Sequence, residues 1–275
     1  MTPVQPPEAD IAQLRTALAQ ARGELQEFMH TVSHDLRAPL RHITSYARIL
    51  QEDLGPDVDG DVAQSLQAIV QAAEQQGRLI DGLMALARVR QMPVQWAPVD
   101  LQALLQNVCA ELQHTHAAEL ATRQVQWSLA PLPTVMGDAA LLRLVLQQAL
   151  GNALKFSRGS APAVIEVGMG PCPDASGLPG APDAEVDALA GDFHRMYVRD
   201  NGAGFNPQYQ DKLFRVFSRL HSATAFEGVG TGLAMCRAAL ASLGGHVAIS
   251  AAVGQGCTVS WRWPALPQAP AEPSA

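Results

Sequence analysis

Four short segments of this 275-residue sequence carry residues whose types and spacing could do chemistry. The first runs FMHTVSHDLRAPL and sets His34 directly before Asp35. An exposed neutral imidazole is a nucleophile near neutral pH. A carboxylate beside it accepts the proton of one ring nitrogen and makes the other more nucleophilic. His30 lies one turn earlier, the spacing of a helical metal pair, but no third ligand accompanies it at metal-site spacing. Taken alone, a His-Asp pair on a helix is an ordinary solvated pair.

The second segment, QQALGNALKFS, places Asn152 and Lys155 three apart on one helix face. An amide oxygen can ligate magnesium, and an ammonium can neutralise phosphate oxygens. The third, DNGAGF, starts at Asp200 behind an expected strand. Its carboxylate can accept from an exocyclic amine such as that of adenine, and Gly202 and Gly204 permit a tight turn. A plain Asp-Asn-Gly turn reads the same way. The fourth, EGVGTGLA, opens a helix, so the amides around Gly228, Gly230, Thr231, Gly232 and Leu233 face an anion site. It lacks the lysine of a P-loop and does not follow a strand as a Rossmann turn does. Between the last two lies FRVFSRLH, a charged and aromatic stretch suited to a lid, with Arg219 as a phosphate contact.

Composition narrows what surrounds these segments. Hydrophobic residues make up 48% and charged residues 16%, enough apolar material for a large core. The formal net charge of -7 and only two lysines argue against non-specific nucleic-acid binding. Four scattered cysteines form no CxxC pair, which disfavours a zinc ribbon or a disulfide framework and favours a reducing, cytoplasmic compartment. The N-terminus shows no signal-peptide pattern. The uncharged stretch 238–261 is long enough to span a bilayer, but its glycines and polar residues read as helix end, turn and strands.

The elements follow from periodicity. Residues 1–10 read as a disordered tail, and Ile11, Leu14, Leu18, Ala21, Leu25, Phe28 and Val32 form a coiled-coil seam over 11–27 and beyond. The apolar stripe continues past Pro39, which is expected to kink the helix. After turn residues near 55–60 a second stripe runs to 87. Residues 28–92 are thus a helical hairpin whose stripe would be buried by a second copy, as a four-helix bundle. A linker spans 93–99. From 100 to 265 helices at 101–114, 138–154 and 231–243 alternate with strands at 125–129, 164–169, 196–199, 247–250 and 258–263. That is an α+β sandwich with helices on one face of a sheet. A Pro/Gly/Ala/Asp-rich loop follows 169, and 266–275 read as a second tail.

In this order and spacing the segments closely resemble the boxes of the sensor histidine kinases of two-component signalling. HDLRAPL resembles the phosphoacceptor box, Asn152, Lys155 and Phe156 the asparagine box, DNGAGF and GVGTGLA the two glycine boxes, and FRVFSRL the phenylalanine box. RLHS followed by EG resembles kinases attached to bacterial phytochromes. The resemblance implies a dimerisation and phosphotransfer hairpin followed by an ATP-binding sandwich of the gyrase and histidine-kinase superfamily. It implies ATP and Mg2+ as cofactors. Asp200 would hold the adenine amine, Asn152 with Gln148 would ligate the metal, and Lys155 and Arg219 would face the phosphates above the glycines. His34 would attack the γ-phosphorus with Asp35 as base, then pass the group to an aspartate of a response regulator receiver domain. The implied assembly is a homodimer with no membrane span and no nucleic acid, receiving its signal from a separate sensor protein or a missing N-terminal sensor.

Three positions depart from the family pattern. Gln148 replaces a usual asparagine, Ala38 stands four after His34 where many members carry Thr or Asn, and Val229 and Thr231 are interchanged. Ala38 cannot orient water, which puts removal of phosphate from the regulator in doubt. The alternative reading is a non-catalytic dimeric histidine phosphotransfer or scaffold protein with a degraded nucleotide pocket. An ATPase clamp shares the sandwich but lacks a hairpin bearing a histidine box.

Overall fold

Ala, Leu, Gln, Glu and Arg dominate residues 8–54, and these are the strongest helix formers. A computed structural model, which describes residues 8–55, 59–170, 192–221 and 225–266, shows one helix there, α1 (Glu8–Leu54). It begins inside the segment read as a tail and carries Pro39 without interruption of the helix. Because proline has no N–H, the Asp35 carbonyl one turn before it loses its helical donor. Gly55, at φ +67°, ends the helix in the left-handed conformation that glycine adopts without a Cβ penalty. The Asp59 carboxylate accepts the Asp61 N–H at 2.8 Å at the start of α2 (Gly60–Gln91), whose last turn carries Arg88 and Arg90 against the helix dipole.

The chain divides into two compact units between Ala87 and Arg88. In the first, the two helices pair as a hairpin. Arg37 Nη2 donates to Asp81 at 2.7 Å, and Arg48 Nη2 to Glu74 at 3.1 Å. Such exposed pairs add little stability, but they fix which turn of α1 faces which turn of α2. Ala47, Leu66 and Ala73 are buried, whereas Leu36, Ile43, Tyr46, Leu50, Val62 and Ile69 are more than 40% exposed.

The second unit contains β1 (Ala97–Asp100), α3 (Leu101–Thr115), α4 (Ala117–Leu120), β2 (Val125–Leu129), β3 (Thr134–Gly137), α5 (Ala139–Phe156), β4 (Ala163–Met169), β5 (Phe193–Asp200), a 3-10 turn (Pro207–Lys212), α6 (Gly232–Ser242), β6 (His246–Ala251) and β7 (Cys257–Pro264). Among the described residues the main sheet has the order β2-β4-β5-β7-β6, with β2 and β4 parallel and the other pairs antiparallel. Alternate residues point to one face: Ile165, Val167, Met196, Val198, Val259, Trp261 and Trp263 join one core with the apolar sides of α3, α5 and α6. α5 and α6 lie against the sheet, and α3 packs beside α5. Asp100 caps α3 by accepting from Ala103 N–H at 2.9 Å, and Asp138 caps α5 by accepting from Ala140 and Leu141.

The expected sheet needs one correction. β1 and β3 form a separate two-stranded sheet, and Ala97, Pro98 and Val99 belong to it although they fall in the expected linker. β1 has four residues, a proline and one buried side chain, so it shows no alternation to read. Trp263 Nε1 donates to the Met136 carbonyl at 2.9 Å and ties the small sheet to the large one. The loop expected after 169 and the C-terminal tail lie mostly outside the described residues.

Candidate active site

On α1, both His34 and Asp35 are about 70% exposed, at 72% and 70% of their side-chain surface. His34 Nδ1 and Asp35 Oδ1 are 3.2 Å apart. That contact orients the ring and leaves Nε2 as the nitrogen away from the carboxylate. Ser33, one residue earlier, is buried, so helical geometry alone turns His34 outward.

In the second unit a cavity of about 370 Å3 opens between α5, α6 and the ends of β5 and β7. Gln148, Asn152, Lys155, Phe156, Asp200, Gly204, Arg219, Gly228, Gly230, Thr231, Gly232 and Leu233 all line it. Gly202 does not; it lies beneath, where a Cβ would come 2.4 Å from the Phe156 carbonyl oxygen, and its N–H donates to Asp200 Oδ1 at 2.8 Å. Only glycine lets the Asp200 turn press against the end of α5. At the other end Gly230, at φ +75°, would bring a Cβ within 2.5 Å of the Ser218 carbonyl oxygen. The Phe217 N–H donates to the Gly230 carbonyl at 2.9 Å, with Phe217 itself held at φ +64°. The phenylalanine and glycine segments are therefore locked together as one wall.

The electrostatics divide the cavity. Burial pushes the Asp200 carboxyl up to about 7, although N–H groups of Gly202 and Cys257 pull the other way. Burial also lowers the Lys155 ammonium, Glu227 opposes that, and Arg219 and Arg158 add to it. Lys155 Nζ sits 4.3 Å from the Phe156 ring centroid. Thr231 leads into α6 without capping it through its side chain. The polar end thus offers two cations and a helix N-terminus, and the other end a carboxylate set in apolar surroundings with Ile249, Val198 and Val259.

Gln148 and Asn152 are one helical turn apart and both reach the cavity. Two amide oxygens beside a phosphate site fit a magnesium ion that keeps several waters. Among the described residues no group of three His, Cys, Asp or Glu is placed to hold a metal; the His30 side chain lies outside them. Cys109 and Cys236 are free and buried, with burial pushing their thiols up to about 11 and about 12.

Sequence reasoning placed His221 in the lid-like stretch without a contact of its own and missed Phe226. Their rings lie 5.4 Å and 5.0 Å from that of Phe156 and 5.1 Å from each other, so three clustered rings form part of the cavity's lining. It also left Arg158, Glu119 and Glu227 without roles. The signal was only the RLHS and EG flavour, because none of these residues has a diagnostic spacing. Every polar group that the nucleotide reading needs is present, and nothing in the cavity supports a degraded pocket.

Comparison with known proteins agrees with this geometry. Residues 137–267 match the family described as Histidine kinase-, DNA gyrase B-, and HSP90-like ATPase. Residues 24–91 match the His Kinase A (phospho-acceptor) domain. Cyanobacterial phytochrome A of Nostoc sp. is 27% identical over 90% of this chain and 30% of its own length. Sensor histidine kinase AruS of Pseudomonas aeruginosa is 30% identical over 91% of this chain and 24% of its own length. The structure of full-length ShkA in complex with AMPPNP aligns with a TM-score of 0.56 and 26% identity, covering 88% of this chain and 46% of that one. The chain spans less than a third of the length of these curated relatives. No helix among the described residues is long and apolar enough to cross a membrane. With a phosphoacceptor hairpin in front and a gyrase-like ATPase sandwich behind, the chain belongs to the histidine kinases.

Proposed function

We propose that this chain is a kinase core that phosphorylates itself on His34 from ATP and passes the group to an aspartate of a response regulator. The observation that carries the reading is the collection of Asn152, Lys155, Asp200 and the open N-terminus of α6 around one cavity, in a chain that also displays His34 on a bare helix face. Asp200 accepts the adenine amine. Lys155 and Arg219 face the phosphates, and the amides of Gly228, Gly230 and Gly232 add partial positive charge. Asn152, with Gln148, would hold a magnesium ion, which would neutralise phosphate oxygens.

His34 Nε2 attacks the γ-phosphorus in line; an N–P bond forms, the bond to the bridging oxygen breaks, and ADP leaves. Asp35 receives the hydrogen bond of Nδ1–H and stabilises the ring as it becomes positive. Catalysis is mainly positioning and charge neutralisation. The same reading includes a homodimer built through the exposed apolar stripe of α1 and α2, and a cytoplasmic location.

The test is labelling with ATP carrying a radioactive γ-phosphate. The label should enter the chain as an acid-labile, base-stable adduct. His34→Gln should abolish it while leaving ADP binding unchanged. Equal labelling of that variant overturns the assignment of His34.

A further inference from the structure

The glycine segment is tied down by an ion network that reaches away from the nucleotide cavity. Arg158, two residues beyond α5, donates through Nε to Glu119 Oε1 at 3.0 Å and through Nη2 to Glu119 Oε2 at 2.9 Å. The other side of the same guanidinium grips Glu227, with Nη2 to Oε1 at 2.6 Å and Nη1 to Oε2. Four of its five N–H donors are thereby used on two carboxylates. Glu119 belongs to α4, and Glu227 immediately precedes Gly228.

Glu119 is anchored in turn. Arg123 Nε lies 3.2 Å from Glu119 Oε1, and Arg123 Nη2 donates to the Leu154 carbonyl in the last turn of α5 at 2.7 Å. The network joins two carboxylates and two guanidinium groups, with His116 Nδ1 a further 3.7 Å from Glu119 Oε2. Lys155 feels the charge of Glu227 and of Arg158 at the cavity side of this network, where the phosphates would lie. Arg158 is not among the residues that line the cavity, whereas Glu227 is. Hydrogen bonding to Arg158 holds the Glu227 carboxyl down at about 2, so the clamp persists across the neutral range.

We infer that Arg158 is a positioning residue for nucleotide binding: it acts through Glu227, strapping the start of the glycine segment to α4 and the end of α5 so that the phosphate end of the cavity is formed before ATP arrives. Bidentate arginine-carboxylate pairs on both faces supply directional restraint that a single exposed ion pair lacks. This rests on the reading of the cavity as a nucleotide site.

The test is a double-mutant cycle on MgADP affinity, by titration calorimetry, with melting followed in parallel. Arg158→Gln should weaken MgADP by about tenfold, the order expected for losing a charge-assisted pair. In a Glu227→Gln background, where the strap is already cut, the same change should cost less than about twofold. Unchanged affinity of Arg158→Gln overturns the inference. An equal loss in both backgrounds also overturns it, because Arg158 would then be touching phosphate directly. Should Arg158→Gln fail to fold, Glu119→Gln decides, since it loosens the strap from the side away from the cavity: weaker MgADP binding supports the inference and unchanged binding overturns it. Failure of the parent chain to bind MgADP would instead remove the nucleotide reading beneath it.

Discussion

Asp200 accepts the Gly202 N–H at 2.8 Å with Oδ1, yet its carboxyl stays raised to about 7 because burial outweighs the two backbone donors. In the proposed reading an adenine amine donates to this carboxyl, so it favours the ionised form. Proton and nucleotide therefore compete at this site. MgADP affinity should fall by about tenfold between pH 8 and pH 6, from the population of ionised Asp200 alone. Adenosine, which has no phosphate to titrate, should follow the same trend. A flat adenosine profile across this range would remove Asp200 from the base contact.

The same carboxyl makes a stability prediction of the opposite sense. An ordinary aspartate in the unfolded chain ionises near 3.8, whereas folded Asp200 holds its proton up to about 7. Between those values the folded state binds more protons, so this group's contribution to stability declines as pH rises. Asp200→Asn keeps an acceptor for Gly202 N–H and removes the titration. The variant should bind MgADP poorly and yet melt a few degrees higher at pH 8, with the gap narrowing as pH falls toward 4. A variant that melts lower than the parent at pH 8 would show that the buried charge is not the destabilising feature described here.

How much of this was legible in the sequence depended on whether function or packing placed each residue. Asn152, Lys155, Asp200 and Gly228, Gly230 and Gly232 were singled out by type and by their places at helix and strand ends, and they line one cavity; the roles given to them and to His34 belong to the proposal. The long strands β4 and β7 announce themselves by alternation. β1 and β3 did not, since four-residue strands give no period. Arg158, Glu119 and Glu227 are 39 and 69 residues apart along the chain, and only the folded unit brings them to one guanidinium. The ring cluster of Phe156, His221 and Phe226 was hidden for the same reason.

Exposed apolar side chains on the hairpin predict its assembly. Ile43 on α1 and Ile69 on α2 are 45% and 47% exposed, unusual for isoleucine in two adjacent helices. Burying an isoleucine is worth about 1.5–3 kcal/mol, and a twofold interface counts each residue twice. Replacing both with Asp should raise the dimer dissociation constant by at least about a thousandfold and leave a monomer in light scattering at micromolar concentration. MgADP binding should be unaffected, because the cavity lies wholly in the other unit. A double variant that remains dimeric would place the interface elsewhere.

Ala38 predicts what the chain does with a phosphorylated regulator. It lies four residues after His34, hence on the same side of α1, and its methyl group offers water neither a donor nor an acceptor. The protein should phosphorylate its regulator efficiently and dephosphorylate it poorly. Adding a polar group at this position should raise dephosphorylation, but the choice of group matters. Thr44 shows why: its hydroxyl bonds back to the Leu40 carbonyl at 3.0 Å, and a threonine at 38 can spend its hydroxyl on the His34 carbonyl in the same way. Asparagine reaches further from the helix and keeps its amide for water. Ala38→Asn should therefore speed loss of label from the phosphorylated regulator by about tenfold, with Ala38→Thr giving less, while autophosphorylation stays within about twofold. The measurement is decay of regulator label in the presence of each variant and ADP; equal decay with parent and both variants would mean that the missing polar group is not what limits the reaction.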